Sequence, residues 1–177
     1  GVDPATEDPA GGVIRRREGG REPDGVLEES AMGLVSVHIP LPGDDEQMTA
    51  LREAQRVYAA SGITTAQEGA MLPAQQTLFE RAAAEGGLFM DVAGYAFWSQ
   101  ARAMLTGRNV GEYAGRYKNA GMKLMLDGSP QGKTAWLSQP YHVTPEGQPA
   151  DYCGYPAMTD EQAAGLVERA YSSGWPV

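Results

Sequence analysis

The sequence predicts an α/β fold built on a parallel sheet with helical crossovers, either doubly wound or closed as a barrel. Three observations predict it. Short β-branched or apolar runs recur at 63–67, 88–93 and 122–126; helical spacing fills the segments between and after them; and Gly62, Gly86-Gly87 and Gly174 stand at the junctions. At 177 residues and 18.9 kDa the chain is long enough for one domain with a sizeable core.

Residues 1–44 are rich in Gly, Pro and charge, with two short apolar pieces, Val13-Ile14 and Val26-Leu27, flanking Glu18-Gly19-Gly20. That pattern reads as a loose hairpin, an excursion from the domain of 45–177, because Gly-Gly supplies the positive φ of a tight turn. Met48, Leu51, Gln55 and Tyr58 follow helical spacing, with an Asp at 44 or 45 as cap and Gly62 as terminator, so a helix is expected over about 45–60. Ile63-Thr64-Thr65-Ala66-Gln67 is the first parallel strand, and Pro73 opens a helix over 73–85 that Gly86-Gly87 ends. The run 88–93 is the next strand, followed by helical stretches at about 97–106 and 110–119. Met122–Leu126 gives a third strand, a Gly/Pro-rich loop covers about 128–158, and Thr159-Asp160-Glu161-Gln162 is a capping box opening an amphipathic helix. Trp175-Pro176-Val177 reads as the opening of a further strand. Three strands and a stub cannot close a barrel or cover both faces of a sheet, and the chain lacks an initial Met. The expectation is an internal excerpt of a longer protein, with open edges that favour a homo-oligomer.

Composition narrows the function. Fourteen basic against 23 acidic residues give a net charge of −9, which repels phosphate backbones, so nucleic acid is not an expected partner. No apolar run is long enough to span a bilayer, and no signal-peptide pattern opens the chain, so a cytoplasmic location is expected. One cysteine, Cys153, and two histidines, His38 and His142, leave no disulfide framework and no Cys/His cluster at metal-ligand spacing.

The informative stretch is Gly121-Met122-Lys123-Leu124-Met125-Leu126-Asp127-Gly128-Ser129. At period two, Met122, Leu124 and Leu126 share one face, and Lys123, Met125 and Asp127 the other. If the apolar face meets helices, Lys123 points to the sheet's opposite face, where desolvation favours a neutral, reactive amine. The same spacing equally fits a strand-end lysine whose charge reaches water or pairs with a carboxylate.

Several blocks carry a family resemblance. Lys123-Leu124-Met125-Leu126-Asp127-Gly128-Ser129, followed by Gly132-Lys133-Thr134-Ala135-Trp136-Leu137 and Pro140-Tyr141, resembles the "VKLFADGSLGSRTAWL…PY" signature of amidohydrolase family 3, the YtcJ-like metal-dependent hydrolases. Gly11-Gly12-Val13-Ile14-Arg15, Gly25-Val26-Leu27-Glu28-Glu29-Ser30-Ala31 and Gly62-Ile63-Thr64-Thr65-Ala66-Gln67-Glu68 are similar to that family's "DPPGGRIVRD", "GVLEEAA" and "GITTVQD" blocks, in the same order. The resemblance implies a partial (β/α)₈ TIM barrel, about strands two to four and the start of strand five, with the hairpin-like excursion before it. Glu68 then falls at the end of strand two, Asp91 on strand three and Lys123 on strand four.

The resemblance also implies chemistry: hydrolysis of an amide-like C–N bond in a small molecule, by water activated on a divalent ion, zinc being expected. The family's His-x-His strand, its fifth-strand histidine and its strand-eight aspartate have no match here, so the excerpt is expected to be inactive and to bind no metal tightly. Lys123 matches the superfamily position at which a carbamylated lysine bridges metal ions. Glu68, Asp127, Ser129, Gln131 and Trp136 are the candidates for touching substrate or supporting the ligands, and Trp136 and Tyr141 fit equally a role over the substrate or as anchors of the loop against the barrel rim. Two rivals stand beside this reading: a non-catalytic barrel fragment in which Lys123 and Glu68 are structural, and a doubly wound binding module. The second needs a Gly-rich phosphate loop that Glu68-Gly69-Ala70-Met71 does not supply.

Overall fold

A computed structural model describes residues 1–40 and 42–177. They form two compact units, Gly1–Pro40 with Met125–Ala163, and Leu41–Leu124 with Ala164–Val177. The division differs from the sequence-based one, which kept residues 125–163 with the barrel. Those residues pack instead with the N-terminal segment.

In the first unit, β1 (Gly12–Arg16) and β2 (Pro23–Glu29) form the expected hairpin, antiparallel, with Ile14 opposite Leu27. A 3-10 turn at Ser30–Met32 and a single helical turn, α1 (Gly33–Ser36), follow. The loop after residue 124 supplies the rest of the unit.

The second unit begins with α2 (Asp44–Ala60), where Glu46 accepts the Gly43 N–H at 3.0 Å and three acidic residues occupy the positive first turn. Next come β3 (Thr65–Met71), α3 (Pro73–Ala84) with Pro73 at its first position, β4 (Asp91–Phe97), the short α4 (Ala101–Leu105), β5 (Tyr117–Lys123) and α5 (Asp160–Ser172). The strands lie in the order β3-β4-β5, both pairs parallel, as the alternation of strand and helix requires. The sheet is open; these residues close no barrel. No helix among the described residues is long and apolar enough to cross a membrane.

Several expectations shift. The first two parallel strands begin two to three residues later than expected, at Thr65 and Asp91. The helix expected over 97–106 shrinks to α4, and the one expected over 110–119 is absent. There Gly111, Gly115 and Arg116 take positive φ of 91°, 55° and 70°, which a right-handed helix does not allow, and Tyr117 already starts β5. The third strand is Tyr117–Lys123 rather than Met122–Leu126. Asn119, Ala120, Gly121 and Met122 are all buried, so the strand is enclosed on both faces and shows no alternation to read. Residues 175–177 form no strand, although the Met122 N–H donates to the Pro176 carbonyl at 2.8 Å.

The core lies where α3, α4 and α5 meet this sheet. Met71, Met104 and Leu105 are fully buried, and the Phe79 and Tyr117 rings stack with centroids 5.7 Å apart. Its polar centre is Asn119. Asn119 Oδ1 accepts from Gln76 Nε2 at 2.7 Å and from the Tyr117 hydroxyl at 2.9 Å, and Gln76 Nε2 also donates to the Met104 carbonyl at 3.1 Å. A second buried amide, Gln55 of α2, donates to the Gly87 carbonyl and accepts the Phe89 N–H at 2.8 Å, tying α2 to the turn before β4.

Both outer strands bulge at one level. Between Gly94 and Ala96 of β4, β3 runs from Glu68 to Met71, one residue more than its neighbour. Between Gly94 and Tyr95, β5 runs from Asn119 to Gly121, leaving Ala120 unpaired. Gly121 sits in that bulge at φ 149°, and a Cβ there would run into the Pro176 carbonyl.

Removing the Asn119 carboxamide strands two buried donors at about 1–3 kcal/mol each. Asn119→Ala should therefore lower unfolding free energy by about 2–4 kcal/mol in urea titrations; a loss below 0.5 kcal/mol would show the network to be dispensable. Burial, with the Glu80 carboxylate adding to it, raises the Tyr117 phenol well above its usual range. A raised acid pKa contributes stability that is complete below the unfolded value of about 10 and is lost as pH rises above it. The alkaline loss of stability above pH 10 should therefore be shallower in Tyr117→Phe, read as the pH dependence of the urea midpoint.

Candidate functional site

In parallel α/β sheets, chemistry gathers at the C-terminal ends of the strands, where successive loops converge. Here those ends are Met71, Phe97 and Lys123. Met71 is fully buried, and Lys123, paired with Phe97, is exposed, its carbonyl accepting the Trp98 N–H at 3.0 Å. Of the two readings of Lys123, desolvated on an inner strand face or at a strand end with its charge in water, its exposure corrects the first and fits the second. The strand ends at this residue, so its side chain stands at the sheet's edge instead of within it.

Glu68 is half-buried in mid-strand, not at the strand's end as expected, and its Oε1 accepts the Ala70 N–H at 3.2 Å across the bulge. It lines a cavity of about 210 Å³ with Leu51, Gln55 and Tyr58 of α2 and Phe79 of α3. Glu68 pairs with Gly94, and Gly94 with Asn119, four positions before Lys123. At about 3.3 Å per residue and 4.8 Å per strand, that register separates the Glu68 and Lys123 backbones by well over 10 Å. The sheet does not bring these two candidates together.

The remaining candidates belong to the other unit, on the loop after residue 124. Asp127 lies beyond β5, bridged to Pro156, and its Oδ2 accepts the Trp136 N–H at 2.9 Å. Ser129 closes a turn: its N–H donates to Thr134 Oγ1 at 3.0 Å, its Oγ accepts the Gly132 N–H at 3.0 Å, and its carbonyl accepts from Thr134 and Ala135. Gln131 is exposed at the tip of that turn, and Trp136 presents an indole 53% exposed. Tyr141, read equally as a substrate contact or a loop anchor, donates to the Ala135 carbonyl at 2.8 Å and stacks on Tyr152 at 5.9 Å.

Sequence reasoning missed the residues that hold this loop. Glu29, at φ 50°, accepts from Thr134 Oγ1 at 2.5 Å, across 105 positions of chain. Its neighbour Glu28 pairs with Arg15 Nε at 2.5 Å and accepts the Tyr155 hydroxyl at 3.3 Å. Burial first, and then the Glu28 carboxylate, raise the Tyr155 phenol, so it stays a donor to Glu28. Gly128 lies so close to Thr134 and Glu29 that any Cβ would collide with both. The only available signal was the Glu28-Glu29 pair at the end of a hairpin strand, and nothing local names partners so distant in sequence.

Among the described residues, no three His, Cys, Asp or Glu side chains lie close enough to hold a metal ion. His38 and His142 are exposed, and Cys153 Sγ reaches only the Asp151 carbonyl at 3.2 Å.

The fold is a known one. A metal-dependent hydrolase of Pyrococcus horikoshii, itself uncharacterized, superposes with a TM-score of 0.71 over 93% of this chain and 33% of its own, at 20% identity. Another from Pyrococcus furiosus gives 0.63 over 85% of this chain and 32% of its own, at 26% identity. Protein LONG AFTER FAR-RED 3 of Arabidopsis thaliana is 42% identical over 65 residues, 37% of this chain and 11% of the plant protein. The chain thus spans about a third of the solved structures it matches and a smaller share of the plant protein. The family model described as "Amidohydrolase family" matches residues 1–177, the whole of the sequence, and it gives the assignment: this chain belongs to the amidohydrolase family.

Proposed function

We propose that this chain is the part of a (β/α)₈ barrel hydrolase carrying strands two to four, and that the whole enzyme cleaves an amide-like C–N bond in a small molecule with a divalent ion, zinc being the expected one. Lys123 carries the proposal: it is the one basic side chain at the C-terminal end of β3, β4 or β5, and it is exposed there. The described residues form no cluster of three His, Cys, Asp or Glu, so the ion's other ligands are proposed to come from the rest of the barrel. Lys123 is proposed to contribute as a carbamate: its ammonium gives up a proton, the resulting amine adds carbon dioxide at Nζ and gives up a second proton, and a cation is exchanged for one negative charge shared by two oxygens.

One observation favours the rival reading of a barrel that binds without catalysing. Ser129 is spent on closing its own turn and Asp127 on holding the Trp136 backbone, which is how a purely structural loop would use them. Lys123→Met in the longer protein separates the two readings. The substitution keeps the length of the side chain and removes its charge, and because Lys123 is exposed the thermal midpoint of chelated protein should stay within about 2 °C of the parent. If Lys123 is a ligand, metal per chain and hydrolysis fall together; if it is structural, both stay at the parent value.

A further inference from the structure

The loop unit holds a second cavity, of about 240 Å³, lined by Leu126, Asp127, Trp136, Met158 and Asp160 with Pro156. At about 30 Å³ per water in the liquid, it has the room of roughly eight waters, or of one aromatic or branched alkyl group. Its chemistry is two-sided. Trp136 and Leu126 are 53% and 50% exposed, so the wall is apolar and open to a ligand. The two ionisable side chains that line it are both carboxylates, and no basic side chain lines it.

The walls are held before any ligand arrives. Asp127 is fixed by its bond to the Trp136 N–H, and its strand segment by the Ala157 N–H on the Leu126 carbonyl at 2.9 Å. Asp160 is fixed as the first residue of α5 by the capping box, in which the Thr159 N–H donates to Gln162 Oε1 at 2.9 Å and Thr159 Oγ1 accepts the Gln162 N–H at 3.2 Å. An anion could be drawn to the start of α5, whose N-terminus carries about half a positive charge. Here Asp160 and Glu161 occupy its first turn, and with Asp127 they outweigh that half charge. An indole face beside carboxylates, free of competing cations, suits an organic ammonium ion, which gains from the ring's quadrupole and from the carboxylate charge together.

We infer that this cavity is a binding subsite for an ammonium group carried on an apolar body. The inference is independent of the hydrolase reading above, because the cavity and Lys123 belong to different units. Binding itself does not depend on turnover, so it is tested in the longer protein with metal removed by chelation, and its failure leaves the Lys123 experiment untouched.

The probes are benzylammonium, benzyl alcohol and benzoate, three bodies of one size and three charges, followed by nuclear magnetic resonance shifts of the backbone N–H signals of Asp127, Met158 and Ala163, which every variant below retains. Benzylammonium should saturate at millimolar concentration, with benzyl alcohol on the order of ten-fold weaker and benzoate silent. Asp160→Asn, which keeps the Thr159–Gln162 capping box, should weaken benzylammonium on the order of ten-fold, and Trp136→Leu by at least as much. Trp136→Phe keeps an aromatic face and the backbone bond to Asp127, so it should bind within about three-fold of the parent. Equal binding of benzyl alcohol, an unchanged affinity in Asp160→Asn, or no saturation by tens of millimolar would each overturn the proposal.

Discussion

Everything in the parallel sheet is set around one carboxamide oxygen. Asn119 Oδ1 has two lone pairs, and both are taken, by Gln76 of α3 and by the Tyr117 hydroxyl. Gln76 in turn reaches the Met104 carbonyl of α4, so one buried polar point fixes two crossover helices against the last strand. Apolar packing alone would let α3 slide along the sheet at little cost, because dispersion contacts carry no direction. A hydrogen bond that must be made once its donor is buried allows only one position.

The loop unit solves a different problem with the same means. Some thirty residues without long regular structure must keep a defined shape, and their carbonyls and amides cannot all find one another. Side chains of the N-terminal hairpin meet the need: Glu29 holds the turn at Thr134, and Glu28 shares itself between Arg15 and Tyr155. The positive φ at Glu29 is a strained conformation for a residue with a Cβ, and the short bond to Thr134 offsets that strain. Ser129, in the block that most clearly carried the family signature, serves the loop's architecture.

Much of the fold was legible in the sequence, and its limits have physical causes. The hairpin, α2, α3 and α5 could be read because amphipathic spacing, Pro73 and the Thr159–Gln162 box are local signals, and each is found where the pattern put it. β5 was misplaced because Asn119 and Gly121 have low strand propensity, and because a strand buried on both faces leaves no alternation. Lys123 was placed near the start of its strand, and it is the last residue of β5. It is exposed by the strand's termination, not directed by a period-two pattern that the bulge at Ala120 interrupts. The Glu29–Thr134 contact was illegible for want of any local trace.

The paired bulges have a consequence for how this sheet can change. Across one level, β3 and β5 each spend one residue more than β4 between them, so the three strands are in step below that level and in step again above it, but on a shifted count. The level works like an expansion joint. Loss of a residue at Ala70 or Ala120 can be absorbed by flattening the joint, and gain of one beside Gly94 would even the three strands. The same change anywhere else would reverse the faces of every side chain beyond it. A change of length at this one seam is therefore the one that leaves the inward- and outward-facing sets of the sheet in place.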